Sequence, residues 1–65
     1  MKQYIERMVQ EKTDLEGKIR KAKKAVENPP FGADKHGLLL LGEQIKFMQS
    51  YLEKLNERIL YEQEK

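Results

Sequence analysis

Asn28-Pro29-Pro30-Phe31-Gly32-Ala33-Asp34 is the stretch that decides the fold. Proline has no amide hydrogen to donate, and its ring pushes the preceding residue out of the helical region. A helix arriving from the N-terminal side therefore ends at Asn28. Phe31-Gly32-Ala33 continues the loop, and Asp34 is a good N-cap for a second helix whose first turn holds Lys35, His36 and Gly37. A single domain follows: helix over about 2–27, loop over 28–34, helix over about 35–63.

Upstream of the break, Met1, Ile5, Met8, Leu15, Ile19, Ala22 and Val26 recur in alternating steps of four and three, with Lys12 in the one gap. That rhythm is a heptad stripe along one helix. Asp14 with Lys18 and Glu16 with Arg20 are acidic-then-basic pairs at the helical spacing of four, the favourable order on an exposed face. Gly17 weakens the helix by about 1 kcal/mol relative to alanine, and marks either a tolerated position or a close approach to the backbone. Lys12 has two readings: a polar insertion that sets register or oligomer number, or a place where the seam opens to line a polar pocket between protomers.

Downstream, Leu38, Leu41, Ile45, Met48, Leu52, Leu55 and Ile59 repeat the same rhythm. Leu40, Phe47 and Tyr51 make a second stripe beside it, and Leu39 and Leu60 lie further round. This helix is apolar over a wider arc than one partner can cover. Each helix is about 35 to 40 Å long at 1.5 Å per residue, so two of them touching along one edge leave large apolar areas wet. The expected fold is all-α, a two-helix antiparallel hairpin that assembles into a helical-bundle homo-oligomer, with the second helix forming the inter-protomer core.

Composition leads to the same place. A chain of 65 residues is near the size at which one hydrophobic core barely offsets chain entropy. With no cysteine and one histidine, neither a disulfide nor a structural metal can staple it, and self-association is left. The longest apolar run, Leu38 to Leu41, is far short of the roughly 18 residues that span a bilayer, so no membrane association is expected. Met1-Lys2-Gln3-Tyr4 runs directly into charged helical sequence without an apolar segment or cleavage site, so export is not expected and the cytoplasm is.

The net charge of +2 is unevenly spread. Lys18, Arg20, Lys21, Lys23 and Lys24 stand against Glu27 alone, whereas the preceding segment is nearly neutral. One reading of this run is a solvated face. The other is phosphate binding, in which a nearby aromatic ring such as Tyr4 stacks on a base, once an oligomer brings it close. Nucleic acid as the partner is a weaker reading of the same run.

Catalysis is not expected. No nucleotide-loop, zinc-protease, nucleophile-elbow or paired-cysteine motif occurs, and Thr13 and Ser50 have no plausible base beside them. The glutamates are spread over solvent-facing helical positions, which does not support paired-carboxylate chemistry. His36 lacks companions for a metal, and no cofactor is implied. It stands with Lys35 at a helix start, where free amide hydrogens and the positive end of the helix dipole favour an anion, and Gly37 would let one come close.

The second helix from Lys35 through Leu38-Leu39-Leu40-Leu41, Gln44-Ile45 and on to Leu52 resembles the closing helix of small phage proteins that share the anti-CBASS and anti-Thoeris hairpin domain. The likeness extends to size, to an early tyrosine, here Tyr4, and to a lysine about four turns further on, here Lys18. The resemblance implies compact helical oligomers that sequester the cyclic di- or trinucleotides by which bacteria signal infection, without cleaving them. By the same resemblance Tyr4 matches a base-stacking tyrosine and Lys18 a phosphate-contacting lysine, while Lys35 matches a basic residue that faces cyclic trinucleotides. That residue is arginine in the family, and its planar fork binds phosphate in a way lysine cannot copy, which favours dinucleotides.

Two functions are thus expected to compete. In the first, a phage-encoded homo-oligomer, a tetramer or hexamer, sequesters a cyclic oligonucleotide: Tyr4 stacks on a base, Lys18 and Arg7 neutralise phosphates, and Lys35 with His36 offers a second anion site. In the second, a small coiled-coil adaptor or inhibitor docks another protein through Leu40, Phe47 and Tyr51, with no nucleotide ligand.

Overall fold

The computed structural model describes residues 2–65. Met1, the first member of the N-terminal stripe, lies outside the described residues. Helix α1 spans Gln3–Glu27 and helix α2 spans Lys35–Glu64. At Asn28 the backbone leaves the helical region (φ −130°, ψ 77°) while its amide still donates to the Lys24 carbonyl at 2.8 Å, so the helix closes its last turn before Pro29 stops it. The chain then turns on Pro30-Phe31-Gly32-Ala33: the Ala33 amide donates to the Pro30 carbonyl at 3.1 Å, and Gly32 takes φ +91°. A left-handed residue at the third position of such a turn is easily supplied only by glycine or asparagine. Asp34 restarts the helix as its N-cap, its carboxylate accepting the Gly37 amide at 2.7 Å.

The two helices run antiparallel along their length, because Met8 of α1 packs on Leu55 and Ile59 while Leu15 and Ile19 pack on Ile45. The body is 48 Å long and only 15 by 13 Å in section. Its core is the line where the two stripes meet: Ile5, Met8, Leu15 and Ile19 from α1, and Ile45, Leu55 and Ile59 from α2. Leu55 alone among the described residues is wholly sealed from solvent.

Lys12 has a visible structural effect. Apolar packing forms two separate clusters, Met8-Leu55-Ile59 with Val9 on one side and Leu15-Ile19-Ile45 with Ala22, Leu41, Met48 and Leu52 on the other. The seam of α2 is unbroken across this point, since Leu52 belongs to one cluster and Leu55 to the other. The interruption therefore comes from α1, where a half-buried lysine stands in place of an apolar knob.

One hairpin edge uses up the seams and little else. Leu39, Leu40, Phe47, Tyr51, Leu60 and Tyr61 of α2 remain exposed, with Phe47 at 76% of its full accessibility. No helix is long and apolar enough to cross a membrane among the described residues.

Candidate functional site

Beside the seam, α1 carries a second ordered row: Arg7, Glu11, Asp14 and Lys18, separated by four, three and four residues. The heptad rhythm puts them on one flank of the helix, next to the buried line of Met8, Leu15 and Ile19. From α2, Tyr51 borders the same flank. Together with Gln10 and Leu15 these residues line an open groove of about 360 Å³. Tyr51 lies between the level of Ile45, which meets Ile19, and that of Leu55, which meets Met8. Its ring therefore stands opposite the middle of the row, with Arg7 toward one end and Lys18 toward the other. The two cations are about 16 Å apart along the helix axis, at 1.5 Å per residue.

The electrostatic state of the row follows from its hydrogen bonds. Asp14 accepts a bond from Gln10 Nε2 at 3.2 Å. The pairs Asp14–Lys18 and Glu16–Arg20, which sequence spacing allows, are not closed: the ion pairs within 4.0 Å among the described residues are Lys54–Glu57 and Lys65–Glu62. Arg7, Glu11 and Lys18 thus line the groove without an ion pair among the described residues. Such groups keep their hydrogen-bonding capacity for something that enters.

Arg7 and Lys18 both line the groove, at opposite ends of a row that their spacing on α1 already defines. Tyr4 is not in that groove. It stands near the chain termini, where its hydroxyl donates to Glu62 Oε2 at 2.8 Å and its ring lies 5.9 Å from Lys2 Nζ, within cation–π range. This bond raises the Tyr4 phenol above its ordinary pKa and lowers the Glu62 carboxyl below its own, because it favours the neutral phenol and the charged carboxylate. Tyr4 as a residue remains 42% exposed while its hydroxyl is engaged.

Lys35 and His36 stand at the opposite end of the hairpin, beside the loop. There the Gly37 amide, one of the donors an anion would use, is already taken by Asp34, and the capping carboxylate places a negative charge at the helix start. A Cβ built on Gly37 would lie 3.0 Å from that carboxylate oxygen, so the glycine makes room for the cap. The remaining basic run, Arg20, Lys21, Lys23 and Lys24, is exposed around the α1 end nearest the loop.

Tyr51 and Glu11 are groove residues that sequence reasoning did not single out. Tyr51 was legible only as part of an apolar stripe, and Glu11 only as one more solvent-facing carboxylate. The signal available was the row Arg7-Glu11-Asp14-Lys18 running at heptad spacing alongside the seam, which keeps these four residues on one edge of any helical partner.

An all-helical hairpin with an open, charged, aromatic-edged groove is built to hold a ligand. Among the described residues it has no metal-binding cluster of histidine, cysteine or carboxylate side chains. The chain belongs to the Sequestin family, whose model matches residues 2–61, and that membership makes it a sequestering binder. No curated protein and no solved structure matched the chain.

Proposed function

We propose that this is a phage-encoded immune-evasion protein that binds and sequesters cyclic oligonucleotide signals of bacterial anti-phage defence, in the host cytoplasm, without cleaving them. The observation that carries the reading is the groove in which Arg7 and Lys18, neither tied to a carboxylate, share a wall with the ring of Tyr51. A cyclic di- or trinucleotide offers what such a wall recognises: phosphodiesters for the cations and flat bases for the ring. Membership of the Sequestin family supports sequestration as the mode of action. Removal of the signal by sequestration is stoichiometric, one ligand for each site.

Self-association belongs to this reading. Leu40, Phe47 and Tyr51 extend along α2 outside the core, and a second copy packed there would cover Leu40 and Phe47 while walling the groove beside Tyr51. A tetramer or hexamer would give several such sites per particle. Tyr4, exposed near the open end of the hairpin, and Lys35 with His36, at the other end, would meet ligand only where a neighbouring protomer contributes the rest of the site.

Calorimetry with a panel of cyclic di- and trinucleotides tests the proposal, together with mass spectrometry of the ligand recovered after heating. Binding at micromolar or tighter affinity with the ligand returned intact is expected; the absence of heat with every member of the panel at tens of micromolar protein would refute it.

A second reading is favoured by the exposure of Leu39, Leu40, Phe47 and Leu60 on α2. As an adaptor or inhibitor the hairpin would lay this face on another protein and need no nucleotide. A stable closed oligomer in solution counts against it, because the same face would then be covered.

A further inference from the structure

The groove is not simply cationic. Between Arg7 and Lys18 lies the Glu11 carboxylate, with Asp14 next to it, so the row reads positive, negative, negative, positive. A bare phosphate in the middle would be repelled there. A ligand that fits must put negative charge at the two ends and hydrogen-bond donors in the centre. A cyclic oligonucleotide offers both kinds of group, phosphodiesters for the cations and a base edge with N–H donors for a carboxylate.

Glu11 and Asp14 are not equivalent. Asp14 already accepts from Gln10 Nε2 at 3.2 Å, which holds it along the helix surface. Glu11 has no hydrogen bond and no ion pair among the described residues, and its helical position lies nearer the seam, on the flank that Tyr51 borders. A base stacked on the Tyr51 ring would turn its edge toward Glu11. A carboxylate only accepts, and its two oxygens match two parallel N–H donors. Guanine presents such a pair, N1–H and the 2-amino group, on one edge. Adenine presents a single amino group beside ring-nitrogen acceptors, which a carboxylate repels.

We infer that Glu11 selects guanine: the base stacks on Tyr51, its N1–H and 2-amino group donate to the Glu11 carboxylate, and Arg7 and Lys18 supply the positive charge that attracts the ligand's phosphodiesters. The inference rests on the cyclic-nucleotide reading of the groove. It gives the stacking role in this groove to Tyr51, and it makes the carboxylate that looks out of place in an anion site the source of base specificity.

Cyclic di-GMP and cyclic di-AMP, titrated separately into the wild-type protein and into Glu11→Gln, provide the test. The wild type should prefer the guanine ligand by about tenfold or more, the scale of one good bidentate contact to a base. Glutamine keeps the size of the side chain but replaces one acceptor by a donor, so in Glu11→Gln the preference should fall to within about twofold, mostly through loss of cyclic di-GMP affinity. Tyr51→Ala should weaken both ligands, and Tyr51→Phe should keep most of the binding, because the ring does the stacking. Binding without guanine preference, or a preference that survives Glu11→Gln, overturns this inference and leaves the sequestration reading standing. Failure of both ligands to bind, in a panel where no other cyclic nucleotide binds, overturns both.

Discussion

The Tyr4 hydroxyl donates to Glu62 Oε2 at 2.8 Å and so ties the first turn of α1 to the last turn of α2, across 58 positions of sequence. Glu62 also receives Lys65 Nζ at 3.4 Å, which makes the open end of the hairpin a small polar clasp beyond the last apolar layer at Ile5 and Ile59. The clasp sits where two helix ends would otherwise fray, and it holds Tyr4 in a defined position at that end.

The clasp is pH-dependent in two directions. Glu62 has its pKa lowered below the ordinary 4.5, first by the Tyr4 hydrogen bond, so its contribution is complete above 4.5 and is lost as pH falls through the lowered folded value. Tyr4 has its pKa raised above the ordinary 10.0, again first by this bond, so its contribution is complete below 10.0 and is lost as pH rises through the raised value. In Tyr4→Phe the Glu62 pKa should move back up toward 4.5, read by NMR titration of the side-chain carboxyl resonance, and amide exchange should quicken in the first turn of α1 and the last of α2. An unchanged Glu62 titration would show that the bond does not form in solution.

Leu55 is the one wholly buried side chain among the described residues and joins Met8 and Ile59 in the smaller of the two apolar clusters. Truncation to alanine should cost about 2–5 kcal/mol. In a chain of 65 residues that is a large part of the total stability, so Leu55→Ala should unfold early in urea followed by circular dichroism.

Lys12 divides the core, and filling the gap should join its halves. Lys12→Leu places an apolar knob between Met8 and Leu15, and the added burial is worth about 1–2 kcal/mol at a half-covered site. A higher denaturation midpoint with unchanged mass in solution is expected. If the variant instead changes oligomer number, the lysine sets the assembly state.

Arg7 and Lys18 should act as site residues and not as part of a diffuse positive field. Each charge reversal, Arg7→Glu or Lys18→Glu, should weaken cyclic-nucleotide binding by about tenfold or more, the scale of losing a charge-assisted hydrogen bond. Lys21→Glu makes the same change in net charge outside the groove, and its effect should stay within about threefold at physiological salt because exposed charges at a distance are screened. Equal losses in all three variants, measured by calorimetry, would place recognition in the basic run as a whole.

Leu40 and Phe47 are exposed and lie outside both apolar clusters, so changing them leaves the hairpin core untouched. The double substitution Leu40→Glu with Phe47→Glu should keep helical circular dichroism while lowering the sedimenting mass to that of one 7.7 kDa chain. Retention of the wild-type mass would move the assembly surface elsewhere.

What the sequence by itself determined is what depends on near neighbours. Pro29 and Pro30 end α1 because a residue that cannot donate an amide hydrogen cannot continue a helix, and Asp34 begins α2 because its side chain reaches an amide three positions on. The seams were legible because a repeat of four and three residues keeps a side chain on one helical face wherever the helix goes, and Lys12 could be seen breaking one of them. Membership of the Sequestin family agrees with the sequestering binder that the resemblance implied. Only the tertiary structure decided which flank residues meet. That Tyr4 meets Glu62 and that Tyr51 shares a groove with Arg7, Glu11 and Lys18 both depend on the register of one helix against the other. That register is set by how Met8 fits against Leu55 and Ile59, and Ile19 against Ile45, and packing between residues so far apart in the chain leaves no periodic trace within either helix.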